Sequence, residues 1–242
     1  KSFSGYQLKS GVYNMYINRE PRFYASIGFS GCFWPCASTS EAVKKNVYVY
    51  YWKGASGYGA SGKDKAVGSG DANNYPVTGY VMKKYVHNDD AWSGTDATVL
   101  PKSFPIIRYA EILLGYAETL NELGDSKNAV KTVNLIRKRA GVGELDENKN
   151  WNKDELRQRI YKEYRVEFAF EDNRFFDARR WAKAEEWFSK PVYKVTVTGS
   201  LENPTYTRSL LEERIFLSKC YHFPIPQQEV DNSQNIEQNA GW

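Results

Sequence analysis

The most regular alternation of apolar and polar positions lies in the middle of the chain. From Ile106 to Leu123, Ile107, Ala110, Leu114, Ala117 and Leu120 recur at helical spacing. Apolar side chains occur on more than one face, so this helix is expected to be largely buried. Gly124-Asp125 stops it. A second helix is predicted over Asn128 to Ala140, with Ala129, Val133 and Ile136 on one stripe and Gly141 as the residue just past its end. Two helices joined by so short a turn make an αα-hairpin. A third helix starts at Asn152 with Glu155 three residues on, a cap-like start. Leu156, Ile160, Tyr164 and Phe168 then step by four. Asp172-Asn173 is the expected break, because both residues tolerate left-handed backbone, and Asn173 to Trp187 is expected to form a further helix. Tyr193 to Val197 alternates as a strand, and Arg214 to Phe223 is the second strand candidate. Phe223-Pro224-Ile225-Pro226 closes it in extended form.

The first hundred residues lack this periodicity. Val47–Trp52 is a β-rich run and Gly54–Gly70 is a Gly/Ser/Lys loop, of a length that is usually functional or mobile. Residues 1–100 carry 12 of the 18 glycines and 18 of the 37 aromatics, with 11 basic and 7 acidic groups. Residues 101–190 carry 18 basic and 16 acidic groups, roughly twice the charge density. The chain therefore divides into a loop- and strand-rich region (1–105), a helical region (106–190), and a β-hairpin with an extended C-terminal segment (191–242). The fold class is mainly α with irregular loops and short strands. Ala117, the Gly124-Asp125 turn and Ala129 suggest one tetratricopeptide-type unit, which cannot bury its own face and needs other elements to pack on.

Composition narrows the function classes. With 242 residues, 41% hydrophobic and 26% charged, the chain is long enough for a core without disulfides or metal. No uncharged apolar run approaches the roughly 20 residues of a membrane-spanning helix. The net charge is +4 and the basic residues form no long run, so charge gives no case for a nucleic-acid partner. The three cysteines, Cys32, Cys36 and Cys220, cannot all pair within the chain, and neither His87 nor His222 has ligand spacing to Cys32 and Cys36. The sequence calls for no metal and no other cofactor. It begins at Lys1-Ser2-Phe3, without an initiator methionine or signal segment, and reads as a processed product or a piece of something longer.

Glu163, Glu167 and Glu171 stand at i, i+4 and i+8 among Arg165, Arg174, Asp177, Arg179 and Arg180. A glycoside hydrolase would use two carboxylates, here Glu167 and Glu171, but commonly from different elements across a cleft. Neighbouring cations lower carboxylate pKa values, the wrong direction for a general acid. The expected role is an ion-pair network tying helices together. Arg108, Glu111 and Glu118 sit in the most apolar helix, where charges need partners. Arg108 is expected to pair with Glu111, and Glu118 with Arg137 or Arg139. Gly57-x-Gly59-x-x-Gly62 matches a dinucleotide fingerprint in letters only, because Lys63-Asp64-Lys65 and more glycines follow instead of an apolar helix. No nucleophile-base framework or metalloprotease motif occurs.

The aromatics of the first region point elsewhere. Trp34, Tyr58, Tyr75 and Trp92 stand among Gly, Pro, Ser, Asn and Asp, and Trp52 ends the strand-like run. Loop aromatics beside amides, such as Asn74-Tyr75, suit a flat ligand face with polar edges, as in a sugar ring. The candidate ligand-binding set is Trp34, Trp52, Tyr58, Asn74, Tyr75 and Trp92. No residue is a catalytic candidate of comparable weight.

From Arg108 onward the sequence resembles the SusD/RagB family of outer-membrane nutrient-binding lipoproteins. Arg108-Tyr109-Ala110-Glu111-Ile112-Leu113-Leu114 with Tyr116-Ala117-Glu118 and Asn121-Glu122 looks like one family helix. Val133-Asn134-Leu135-Ile136-Arg137-Lys138-Arg139-Ala140-Gly141 looks like the next. Glu163 to Glu171, then Arg174-Phe175-Phe176-Asp177 with Arg179-Arg180-Trp181, resemble the following motifs. Phe223-Pro224-Ile225-Pro226 and Gln238-Asn239-Ala240-Gly241-Trp242 are similar to the closing segments, and Glu20-Pro21-Arg22-Phe23-Tyr24 to an upstream one. Asp172-Asn173 replaces a usual glycine, and Ala240 a usual proline. The resemblance covers the C-terminal half of such proteins. It implies a SusD-like fold in which the helical hairpin packs against a loop-rich, ligand-facing region. It also implies capture of oligosaccharide or polysaccharide, or sometimes peptide, at the cell surface. Delivery would be to a SusC-like TonB-dependent transporter, without catalysis. Membrane attachment would come only from an N-terminal lipid anchor absent from this chain. A peptide-binding lid protein, a glycoside hydrolase and a helical interaction scaffold are the rival readings.

Overall fold

The computed structural model describes residues 16–29, 32–34, 47–49, 78–87, 89–90, 99–199 and 204–242; at 33, 34, 47–49, 196–199 and 204 it describes backbone alone. The helices stand close to where the pattern places them, but the first is not largely buried: Ile106 and Ile107 precede it and are exposed, as are Ile112, Tyr116 and Leu123, because only the Ala110, Leu114 and Ala117 stripe enters the core. Helix α2 runs Tyr109–Glu122 and α3 runs Ser126–Arg139, folding back on α2 through Gly124 at φ +89°. Helix α3 starts two residues before the hydrophobic pattern, because the Asp125 side chain accepts from Asn128 N at 3.1 Å and caps it. Gly141 ends this helix at φ +67°. Helix α4, Lys153–Glu167, is capped by Asn152, whose Oδ1 accepts from Asp154 N at 2.9 Å. It packs on both members of the hairpin. Leu114, Ala117, Ala129, Val133, Leu156 and Ile160 have no exposed surface and form the centre of this core. The alanines on facing positions let the backbones approach, so the hairpin buries one face against α4 and does not stand alone.

Asp172 takes the left-handed conformation at φ +62°, and α5 follows as Asn173–Arg180. The single helix expected to reach Trp187 is in fact two. Trp181 folds its ring onto Tyr161 with centroids 3.8 Å apart, Ala182 turns at φ +53°, and Lys183 N donates to Ala178 O at 2.7 Å. Helix α6 then occupies Ala184–Phe188.

Among its described residues, the first region contains a short helix α1, Pro21–Ser26, and four strands: β1 (Ile27–Phe29), β2 (Cys32–Trp34), β3 (Val47–Val49) and β4 (Tyr80–Met82). β1 pairs with β4 and β2 with β3, both antiparallel. Strand β3 takes the first half of the predicted Val47–Trp52 run. Tyr16, Tyr24, Phe29 and Cys32 form a second, aromatic core, with Tyr24 Oη donating to Tyr16 O at 2.7 Å.

The C-terminal hairpin corrects the sequence expectation. Strand β5 spans Val192–Gly199, but its partner β6 is Pro204–Glu212, not Arg214–Phe223. In Thr205-Tyr206-Thr207-Arg208 polar groups face both ways, which hides the period of two. Residues 214–223 instead run irregularly into a 3-10 turn at Ser218–Tyr221, held by Phe216 buried against Ala178 and Ala184. The hairpin also reaches the aromatic core. Tyr206 meets the Tyr16 ring edge-on at 6.3 Å, and Val195 N donates to Thr78 O at 3.0 Å. Gly79, at φ +81°, is needed here, since a Cβ would stand 2.4 Å from Val195 O.

Candidate functional site

Of the six candidate ligand residues, Trp34 has a described backbone position. It ends β2 and pairs with Val47 at the edge of the β2–β3 register. Trp52, Tyr58, Asn74, Tyr75 and Trp92 lie outside the described residues, as does Cys36. The base of the platform is fixed by its buried end. Cys32 is fully buried, its Sγ accepts from Phe29 N at 3.4 Å, and burial pushes the thiol up to about 11. It is therefore a packing thiol at neutral pH, without reactive thiolate.

A second anchor was not expected from sequence. Asp90 is buried and accepts from His87 N (3.1 Å), Leu100 N (2.9 Å) and Lys102 Nζ (2.6 Å). The Lys102 hydrogen bond leads in holding this carboxyl below the ordinary range. One carboxylate thus ties together the two ends of the segment that contains Trp92. The signal in the sequence is faint: an Asp pair, Asp89-Asp90, with a lysine twelve residues after its second member.

The platform is bolted to the helical core by charge. Glu163 and Glu167, each 4% exposed, face α1 and the hairpin. Arg22 Nη1 donates to Glu163 at 2.7 Å and to Glu167 at 3.0 Å, while Glu20 braces its other nitrogens. Arg137 reaches Glu163 at 2.7 Å; Arg108 and Arg139 both reach Glu167. Arg108 also forks onto Glu171 at 2.6 and 2.9 Å, and Lys84 pairs with Glu171 and donates to Ala169 O at 3.0 Å. Burial raises the Glu167 carboxyl, but Arg108, Arg22 and Arg139 outweigh it and hold the pKa below the usual range. All three glutamates of the i, i+4, i+8 series are consumed in this lattice.

Two expected pairs are replaced. Arg108 is the residue before α2, in extended backbone at φ −121°, so its side chain crosses to the end of α4 rather than lying along its own helix toward Glu111. Glu118 accepts from Arg180 at 2.7 and 2.8 Å and from Trp181 Nε1 at 2.7 Å, instead of from Arg137 or Arg139. Sequence spacing ranks local partners first, whereas here the partners lie 59 or more residues away.

The order of these elements, and the arginine–glutamate lattice joining them, can be compared with known proteins. The sequence pattern of the SusD family matches residues 1–242. The chain belongs to the SusD family. Among curated relatives, SusD-like protein P2 of Formosa agariphila is 33% identical over 143 residues, covering 56% of this chain and 25% of P2. SusD-like protein P38 of the same organism is 39% identical over 87 residues, or 34% of this chain and 17% of P38. A solved SusD-like protein from Bacteroides fragilis superposes with a TM-score of 0.75 at 27% identity, covering 99% of this chain and 46% of its own. A SusD-like carbohydrate binding protein from the same species gives a TM-score of 0.61 at 24% identity, covering 95% of this chain and 46% of its own. The chain thus spans less than half the length of these SusD-like structures, and its matched segments at most a quarter of the curated relatives. The mainly helical fold with short strands is the SusD-like one.

Proposed function

We propose that this chain is the C-terminal part of a cell-surface glycan-binding protein. It captures oligosaccharide and passes it to a SusC-like TonB-dependent transporter, without cleaving it. The observation that carries this reading is membership of the SusD family along the whole chain, joined to a SusD-fold relative described as carbohydrate binding. Trp34, at the end of β2 and not in the loop its sequence neighbours suggest, together with Trp52, Tyr58, Tyr75, Trp92 and Asn74, supplies the ligand face: rings stack on the apolar faces of sugars, and the amide bonds their hydroxyls. The protein is anchored at the outer-membrane surface by lipid on a segment outside this chain.

A hydrolytic reading has less support. Glu167 is nine-tenths buried or more, bonded to three arginines, and depressed in pKa, so it neither donates a proton at neutral pH nor faces a cleft. Native affinity electrophoresis of the intact protein against a panel of soluble polysaccharides tests the proposal. Retardation by at least one glycan, without new reducing ends, is the expected result, and Trp34→Ala or Trp52→Ala weakens it. Equal retardation in both tryptophan variants removes these two rings from the site. Release of reducing ends that Glu167→Gln abolishes establishes the hydrolase instead.

A further inference from the structure

Helix α4 has a second face, opposite in character to its glutamate face. It forms one wall of an open groove of about 1090 Å³, closed on the other sides by α5, the end of α6 and the β5–β6 hairpin. Lys162, Arg165, Arg174, Lys190, Arg208 and Arg214 line it, and among the described residues no carboxylate does. In sequence these six cations are spread over 53 positions and never form a run; the fold collects them. Lys190 and Arg214 lean on Glu186 and Glu212, outside the lining. Among the described residues, Lys162, Arg165 and Arg208 make no ion pair. Burial, then the neighbouring charge of Arg165, lowers the Arg174 pKa, and the charge of Asp177 offsets only part of this.

The groove also has flat walls. Arg174 lies over Trp187 at 4.9 Å and Arg208 over Tyr193 at 3.5 Å, while Tyr161 meets Trp187 edge-on at 6.0 Å. Each guanidinium carbon lies over a ring face within cation–π distance, which leaves the guanidinium without a carboxylate partner in that contact. Planar donors and ring surfaces in one concavity of this size suit a few sugar rings bearing negative groups. A flat macromolecular surface would not enter it.

Resting on the glycan-capture reading, we propose that this groove is a subsite for anionic oligosaccharide, recognising sulfate esters or uronate carboxylates along a short glycan segment. It is separate from the loop aromatics, and it makes acidic glycans the substrate class.

The test is calorimetric titration of the intact protein with three hexasaccharides of equal length: chondroitin sulfate, oligogalacturonate and the neutral cellohexaose. The expected result is that at least one acidic hexamer binds about tenfold or more tighter than the neutral one, with affinity falling as salt rises. The double variant Lys162→Glu/Arg165→Glu, at two exposed positions, loses about tenfold or more for the acidic hexamer and flattens the salt dependence. Chondroitin sulfate carries both sulfate and uronate carboxylate and oligogalacturonate carboxylate alone, so tight binding of the first without the second assigns the recognition to sulfate, and tight binding of both assigns it to carboxylate. Neutral binding equal to acidic, or acidic binding indifferent to the double variant, overturns the groove assignment and leaves glycan capture standing. Binding of none of the hexamers, with no polysaccharide retarding the protein, overturns both.

Discussion

The two faces of α4 put similar residues to opposite uses. On one face, Glu163 and Glu167 are bonded by Arg22, Arg108, Arg137 and Arg139, every carboxylate oxygen is matched, and both carboxylates are buried. On the other, Lys162 and Arg165 look into a groove with four more cations and, among the described residues, no acid. Arginine content is no guide to which face is structural. Charge balance and burial are, because a buried ion costs several kcal/mol unless paired, whereas a solvated excess of one sign costs little and is free to attract a ligand. The balanced lattice joins the loop-rich platform to the helices; the unbalanced groove has charge to spare.

The largest effect is expected where balance is broken. Glu167→Gln leaves Arg22, Arg108 and Arg139 facing a neutral amide and should cost about 3 kcal/mol, read as a lower midpoint in denaturant unfolding. Acid should attack the same face. The folded pKa of Glu167 is below its unfolded value, so its contribution is present above about pH 4.5 and is lost as pH falls through the depressed value. Glu122, held near 2 by the Arg157 hydrogen bonds and then by Lys153, extends this window down to about pH 2. Because Glu122 is exposed, its part should shrink in salt. A stability curve flat from pH 6 to pH 2 would contradict the lattice. Next comes the junction of platform and hairpin. Gly79→Ala forces a methyl group toward Val195 O in left-handed backbone and should cost about 1–3 kcal/mol. Asn152→Ala removes the α4 cap for about 1 kcal/mol in thermal unfolding. Smallest of all, Lys162→Glu/Arg165→Glu should stay within about 0.5 kcal/mol of the parent, since both side chains are exposed and unpaired.

The helices were legible because their core stripes are uninterrupted: Leu156, Ile160, Tyr164 and Phe168 give α4 directly, and Asp172-Asn173 gives its break. The division of Asn173–Trp187 was not, because the turn at Ala182 depends on Trp181 stacking on Tyr161, a contact between separate segments. Strand β6 was missed because Thr, Tyr, Arg and Ser alternate without an apolar face. The role of the glutamate series as a tie between helices was readable from its density of nearby cations, but its partners were not. Arg22 lies 141 residues from Glu163, and Arg108 pairs away from its own helix. The groove was hidden for the same reason: six cations dispersed along the sequence become neighbours only after β5 and β6 fold beside α4. The aromatic ligand set is a proposal from loop composition; of its members only Trp34, at the end of β2, lies among the described residues.

The division of labour between the faces of α4 can be read from one quantity, the rise in melting temperature caused by a saturating acidic hexasaccharide. Glu167→Gln should lower the unliganded melting temperature and keep the rise. Lys162→Glu/Arg165→Glu should keep the unliganded melting temperature and lose the rise. A lost rise in Glu167→Gln with a retained one in the double variant would contradict the account.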